Sequence, residues 1–315
     1  MKRALLLLAV LAVPASSAAP LGGEAVALVT AETQNQLLAV DLSTGRVIRR
    51  MRMPADPQNV ETTRTGDAGA VVSTGAGAVT LLALPRLRVR RTLRGFHSPH
   101  IAAFSPDGRF LYVTDDATGE LVVVGVRRAR VLSRLYVGPG AHHIAVSPDG
   151  RRLWIALGER ARHIMVVDTR GGRARLHPAV PDPRGLAHDL AFTPGGKRVW
   201  VTYDDRSRIA VFDGRTFRRL YTLPAGPPPQ HVAFGRYAYV TSGNEGRLRI
   251  FSLGGRLLGV ARTPAGSFNL GLGGGTVLTP SLTSGTLTEL HTSGRRIWTK
   301  RVASAARDAA FAVLP

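Results

Sequence analysis

The 315-residue chain contains no cysteine. That excludes disulfides, thiolate metal centres, c-type haem attachment and a cysteine nucleophile. Lysine is nearly absent: Lys2, Lys197 and Lys300 are the only three among 42 cationic side chains, so arginine carries the positive charge. Acids are also scarce, with 21 Asp+Glu, and the formal net charge is +21. Aromatic residues make up only 6%, so sequence-specific nucleic-acid reading by base stacking is poorly supported. No apolar stripe of helical period runs for three turns, so helices are not expected. After the first segment no apolar run approaches the ~20 residues of a bilayer span, and no transmembrane segment is expected. There is no GxSxG elbow, HExxH, P-loop, or GxGxxG following a strand.

What is present is globular: 44% hydrophobic and 20% charged residues, with 35 Gly and 20 Pro. Disordered chains are poorer in apolar residues. The arginine skew fits either a high-GC genome or a polyanion-binding surface, and composition does not separate the two. The N-terminus reads as an address. Met1-Lys2-Arg3 is a basic n-region, Ala4 to Val13 an apolar run, and Ala15-Ser16-Ser17-Ala18-Ala19 a small-residue cleavage zone. Residues 1–18 are expected to be a signal peptide, cut after Ala18. The mature chain, 19–315, is then secreted to an extracellular or periplasmic space, as one domain and a monomer.

The phrase Ser-Pro-Asp-Gly-Arg occurs at 105–109 and again at 147–151, each time between two short apolar runs. Looser copies follow at Phe192-Thr193-Pro194-Gly195-Gly196-Lys197 and at Phe234-Gly235-Arg236. Pro106 to Pro148 is 42 positions, Pro148 to Pro194 is 46, and Phe192 to Phe234 is 42. A period near 40 built of short strands and Gly/Pro turns means propeller blades. Each unit divides into strands a to d. The first three are apolar, as strands buried on both faces should be, whereas strand d is charged, which blocks edge pairing. Six units are complete. The N-terminal piece supplies b, c and d without a, and Asp308 to Val313 supplies an a alone. The expected fold is therefore all-β: a seven-bladed β-propeller of four-stranded antiparallel blades, closed by N- and C-terminal strands sharing one blade. Six blades with loose ends is the alternative.

The stretch Ala103-Phe104-Ser105-Pro106-Asp107-Gly108-Arg109-Phe110-Leu111-Tyr112-Val113-Thr114-Asp115 resembles the YVTN-repeat family of seven-bladed propellers, which has Asn in the last place. Val199-Trp200-Val201-Thr202 and Ala238-Tyr239-Val240-Thr241 repeat it, and Leu38 to Val47 resembles the family's strand c. The resemblance spans the mature chain and implies the fold. Relatives of this shape include surface and periplasmic binding proteins, lactonase-type hydrolases and cytochrome domains. The absent haem motif removes the last group.

Counting back from Phe104 and its equivalents aligns the starts of strands a. Four positions back stand Gln58, His100, His142, His188, Gln230, Phe268 and Arg307. Three back stand Asn59, Ile101, His143, Asp189, His231, Asn269 and Asp308. This band at the channel mouth holds five of the nine histidines. Three readings stay open. The imidazoles cap loop carbonyls or pack between blades. They line a neutral pocket for a small ligand or a protein partner, together with Asp189, Gln230, Arg307 and Asp308. Or His100, His142 and His188, with His143 or His231, hold a divalent metal as cofactor, Zn or Cu(II), with Asp189 beside them. Alternate residues of a strand point oppositely, so His142 and His143 share a centre only if a loop is distorted there. The glycine-rich Gly271 to Gly275 is expected to be a thin strand and turn. Asp115-Asp116 and Asp204-Asp205 are expected to do turn chemistry.

Charge divides by face. Loops at the mouth carry the acids, among them Glu32, Asp56, Asp116, Asp182, Asp204, Asp205 and Glu245. Turns on the opposite face carry Arg127, Arg128, Arg130, Arg151, Arg152, Arg173, Lys197, Arg198, Arg218 and Arg219. Such a face attracts polyanions: an anionic cell-wall polymer, lipid headgroups or non-specific nucleic acid. The expected function is a secreted binding or scaffolding propeller, not an enzyme. The alternative is a metal-assisted or His-based lactonase-like hydrolase or lyase, with His100 or His188 as base and Arg307 on the oxyanion.

Overall fold

The computed structural model describes residues 23–178, 181–182, 184–203, 205–226 and 228–315. Its strands arise where the sequence alternates short apolar runs with turn residues. In the Ser-Pro-Asp-Gly turns, the Ser105 hydroxyl donates to Asp107 Oδ1 (2.6 Å), and that carboxylate accepts the Arg109 N–H. The Ser105 oxygen in turn accepts the Phe110 N–H, and Gly108 takes the left-handed φ of 67° that closes the hairpin. Ser147, Asp149 and Gly150 repeat these contacts.

Seven four-stranded antiparallel sheets result. Blade 1 is β28 (Ala306–Leu314), β1 (Glu24–Ala31), β2 (Gln36–Asp41) and β3 (Val47–Arg52), in that order from the axis outward. Blade 2 takes β4 to β7 (57–94), blade 3 β8 to β11 (99–136) and blade 4 β12 to β15 (144–176). Blade 5 takes β16 to β19 (187–224), blade 6 β20 to β23 (232–262) and blade 7 β24 to β27 (271–301). The chain ends close the ring as the repeat count predicts: Val26 pairs Ala312, Leu28 pairs Ala310 and Val29 pairs Ala309. Gly271–Gly273 is the short inner strand β24, where a Cβ on Gly271 would lie 2.1 Å from the Ala309 carbonyl. The signal-peptide residues 1–18 and Asp204 lie outside the described residues. Among those described, no helix is long and apolar enough to cross a membrane.

The core sits between blades. Tyr112, Trp154, Trp200 and Tyr239 occupy one position in successive strands b and are all fully buried. Trp154 meets Phe192 of blade 5 with ring centroids 6.0 Å apart, and Trp200 meets Phe234 of blade 6 at 5.2 Å. Two residues further along strand b, the motif threonine reaches the next blade. Thr114 Oγ1 donates to the His142 carbonyl and Thr202 Oγ1 to the Gln230 carbonyl, each at 2.5 Å, and Thr241 donates to the Phe268 carbonyl. These oxygens also accept N–H groups within their own blades, Asp189 to Thr202 and His231 to Thr241.

Thr202→Val keeps the shape of the side chain but strands a buried carbonyl and a buried N–H. It is expected to cost about 1–3 kcal/mol, read as a lower urea midpoint with an unchanged slope; a midpoint equal to wild type would show that the threonine does not tie the blades.

Candidate functional site at the channel mouth

Each inner strand starts at the mouth face, which brings residues distant in sequence to one ring. His100 lies in β8 (Pro99–Phe104) and His188 in β16 (Ala187–Phe192). His142 and His143 precede β12 (Ile144–Val146), and His231 precedes β20 (Val232–Phe234). All five imidazoles meet. His100 stacks on His142 at 3.9 Å between ring centroids, His142 and His143 are 4.8 Å apart, and His143 is 4.8 Å from His188 and 4.7 Å from His231. His142 and His143 do share a centre, because the inner strand of blade 4 begins only at Ile144. The chain ahead of it turns through Gly138 and Gly140 at φ 131° and 70°, so strand alternation does not apply to the pair.

Carboxylates orient three of the rings. His142 Nδ1 lies 2.9 Å from Asp116 Oδ2, across the boundary between blades 3 and 4. His143 Nδ1 lies 3.2 Å from Asp189 Oδ1, and His231 Nδ1 lies 3.5 Å from Asp189 Oδ2. Asp189 Oδ2 also accepts the Val232 N–H at 2.9 Å. Burial alone would raise the Asp189 pKa, but the bonds from His143 and His231 prevail and hold its carboxyl well below the usual range. Burial pushes His143 well below the ordinary imidazole value, against the pull of Asp189. His100 is pushed the same way, by burial first and then by the neighbouring imidazoles. These two rings are therefore neutral at pH 7. Two triads have ligand atoms within 4.8 Å of one another: His100, His142 and His143, and His143, His188 and His231.

The remaining band residues have structural partners. Gln230 Oε1 accepts the Gly243 N–H at 2.7 Å. Arg307 Nη1 pairs with Glu32 Oε2 at 3.4 Å. Asp308 Oδ2 accepts from Asn59 Nδ2 and from the Val60 N–H, and burial raises its pKa. Asp115 does not do the expected turn work: its carboxylate accepts the His97 and Ser98 N–H groups of the loop that precedes β8, tying that loop to strand b. Its neighbour Asp116 instead holds His142 and lies 3.5 Å from Arg160 Nε, which turn chemistry does not anticipate. The signal for it is position: it lies in the mouth loop of blade 3, facing the His pair of blade 4.

Below the imidazoles a cavity of about 1080 Å³ follows the axis to the opposite face. His143, Asp189 and His231 are at its roof, and Arg64, Thr65 and Pro315 at its far rim. Glu61, in β4 (Pro57–Thr62), lines it. Its carboxyl is pushed up to about 8 by burial, then by the charges of Asp308 and Asp189, against a bond from the Thr62 N–H. Glu61 is not among the site residues that the repeat pattern predicts. The available signal was an exception to the repeat: the other six inner strands carry Ala103, Ala145, Ala191, Ala233, Gly271 and Ala310 at that place.

On the opposite face Arg127, Arg128, Arg130, Arg151, Arg173, Lys197, Arg218 and Arg219 are exposed, and Arg152 and Arg198 half-buried. A groove of about 1140 Å³ between blades 4 and 5 gathers Arg151, Arg152, Arg170, Arg173, Lys197 and Arg215, with Asp149 and Asp168 as its acids.

No protein-family model matches the chain, and no curated protein does. Solved structures do. A functionally unknown protein from Desulfotomaculum acetoxidans superposes with a TM-score of 0.82 at 15% identity, over 92% of this chain and 99% of that one. A candidate 6-phosphogluconolactonase from Bacteroides uniformis gives 0.77 at 16%, over 92% and 99%. Apo AztD from Citrobacter koseri gives 0.72 at 11%, over 92% and 98%. At such identities the likeness establishes the seven-bladed fold alone; it does not extend to the YVTN-repeat family.

Glu61 sets a pH dependence. Between its ordinary value of 4.5 and about 8 the folded protein keeps a proton that the unfolded chain has released. Its contribution to stability therefore falls as pH rises through that window, by about 1.4 kcal/mol per unit, and levels above it. Glu61→Gln is expected to remove this slope, so that the stability difference between variant and wild type grows from pH 5 to pH 8. A constant difference over that range would contradict the assignment.

Proposed function

We propose that this protein is an exported, non-enzymatic binding propeller that holds a divalent transition metal, Zn or Cu(II), on the imidazoles at its channel mouth. The supporting observation is the way three rings are held, His142 on Asp116 and His143 and His231 on Asp189, all through Nδ1. A proton on each of those atoms leaves Nε2 as the lone-pair donor. Carboxylate partners orient metal-binding histidines in this manner and raise their basicity. Neutrality of His100 and His143 supports the same conclusion, since only the neutral ring coordinates. The two triads share His143, whose Nε2 serves one ion, so a single metal per ring is expected. An all-nitrogen donor set suits Zn or Cu(II).

A lactonase-like reaction is less well supported. It requires a free base and an electrophile for the carbonyl. Arg307, the expected electrophile, is engaged by Glu32, and Asp189, the expected partner of the base His100 or His188, pairs with His143 and His231.

The opposite face is assigned to an anionic partner, a wall polymer or lipid headgroups, through the groove between blades 4 and 5. Nucleic acid would bind there without sequence reading.

Two measurements test these assignments. Chelator-stripped protein dialysed against Zn is expected to retain one equivalent. His143→Ala should abolish retention and Asp189→Asn should weaken it roughly 10- to 100-fold; sub-stoichiometric metal in wild type would end the proposal. On immobilised heparin, wild type should elute at higher salt than Arg151→Glu with Lys197→Glu, and co-elution of the two would remove the groove from the polyanion site.

A further inference from the structure

Small residues of the inner strands, Ala233, Gly271 and Ala310, line part of the axial cavity. Ala103, Ala145, Ala191, Ala233, Gly271 and Ala310 stand at one repeat position in six blades, and only blade 2 departs from them, with Glu61. The space left is about 1080 Å³, at the upper end of small-molecule sites. Val60, Ile144, Leu190, Val232 and Leu270 give it apolar walls. Three carboxyls face it: Glu61, Asp189 and Asp308. The basic side chains that face it are His143 and His231 at the roof and Arg64 at the far rim. Two of the carboxyls are committed, Asp189 to His143, His231 and the Val232 N–H, Asp308 to Asn59 and the Val60 N–H. Glu61 is half-buried on the cavity wall, and its carboxyl has one bond, from the Thr62 N–H. A carboxylate there is partly desolvated beside two other carboxyls, an arrangement that a cation would relieve.

We propose that the axial cavity is a binding site for a small organic ammonium ion, its charge received by Glu61 and its hydrocarbon part by the apolar walls. Its apolar walls suit a hydrocarbon rather than a hydrated metal ion, and it meets the imidazole site only at its roof, through His143, Asp189 and His231. In the empty cavity burial and the two neighbouring carboxyls keep Glu61 protonated at neutral pH, with a pKa near 8. Binding then converts the acid to a carboxylate: the O–H bond breaks, one proton goes to solvent, and the ammonium takes its place. Affinity should accordingly rise with pH, by up to about tenfold per unit below 8.

Titration calorimetry on the full chain, with cyclohexylammonium as probe and cyclohexanol as its neutral counterpart, tests this. Cyclohexylammonium should bind, release one proton (read from buffers of different ionisation enthalpy), and bind more tightly at pH 8 than at pH 6. Glu61→Gln should weaken it at least tenfold and abolish the pH dependence, whereas cyclohexanol should respond to neither. His142→Ala, which alters the mouth and not the cavity, should leave ammonium binding intact, so failure of the metal site and failure of this site are separable. Equal binding of the two probes, no proton release from wild type, or no binding of the ammonium at millimolar concentration would overturn the proposal. The wild-type measurements decide the matter even if the variant does not fold.

Discussion

The antiparallel pairing of β1 with β28 is the constraint on which the ring depends. An inner strand at the C-terminus is joined to a blade whose other three strands come from the N-terminus. Without that pairing two edges would be open, and a free sheet edge is a template for association. The consequence inside the ring is more specific. Asp308 arrives at the hub only through β28, where its N–H is bonded by Thr30 of β1. Its carboxyl then accepts from Asn59 and Val60 of blade 2. Closure thus ties β28 to β1 within blade 1 and blade 1 to blade 2 through one residue, which also lines the cavity. In a chain without disulfides, this is where the loop entropy of the whole polypeptide is recovered.

One repeat position serves two purposes at the hub. In blades 1, 2 and 5 the residues are Asp308, Asn59 and Asp189, and each accepts an N–H of the following blade, Val60, Ala102 and Val232. In blades 4 and 6 the same position carries His143 and His231, and both rings turn to Asp189. A structural explanation of the band and a ligand-binding one are therefore not alternatives. Asp189 ties blade 5 to blade 6 with one oxygen while that same carboxylate sets the orientation of two imidazoles. The motif threonines work alongside it, since Thr114 and Thr202 fix the carbonyls of His142 and Gln230. Backbone bonds that hold the blades together also hold the site residues in place.

What recurs in the sequence could be read, and what breaks recurrence could not. Ser-Pro-Asp-Gly and the aromatic-Val-Thr runs return at a near-constant period, so the blades, their turns and the closing strand follow from counting. The gathering of five histidines in one band at the mouth follows from the same alignment. The joint orientation of His142 and His143 does not, because it depends on β12 starting three residues later than β8 and β16, after two left-handed glycines. Asp116 looks like half of a turn pair until the neighbouring blade is placed against it. Glu61 is the extreme case: a search for repeated chemistry passes over the one blade that differs, yet that blade adds a third carboxyl to a cavity already faced by Asp189 and Asp308.

The arginine excess has a structural share as well. Arg49 donates to the Arg86 carbonyl and Arg90 to the Arg127 carbonyl, both 37 residues on, so outer strands are tied to the next blade's turn by guanidinium groups. Arg198 reaches the Tyr221 hydroxyl, and Arg152 pairs with Asp168 and lies over Phe217. A face built in this way is basic whether or not a polyanion visits it, and its field extends about one Debye length from the surface. That field and the acidic shaft beneath it place opposite demands on ions arriving from the same side. Salt screens the attraction of the rim for a polyanion and so weakens that contact, but it also screens the barrier that Arg64 and its neighbours present to an ammonium ion. The carboxylate that Glu61 presents to a bound ammonium lies within the cavity, where salt screens little. Ionic strength should therefore slow the first association and speed the second, and the sign of the salt effect identifies which of the two sites on this face is being filled.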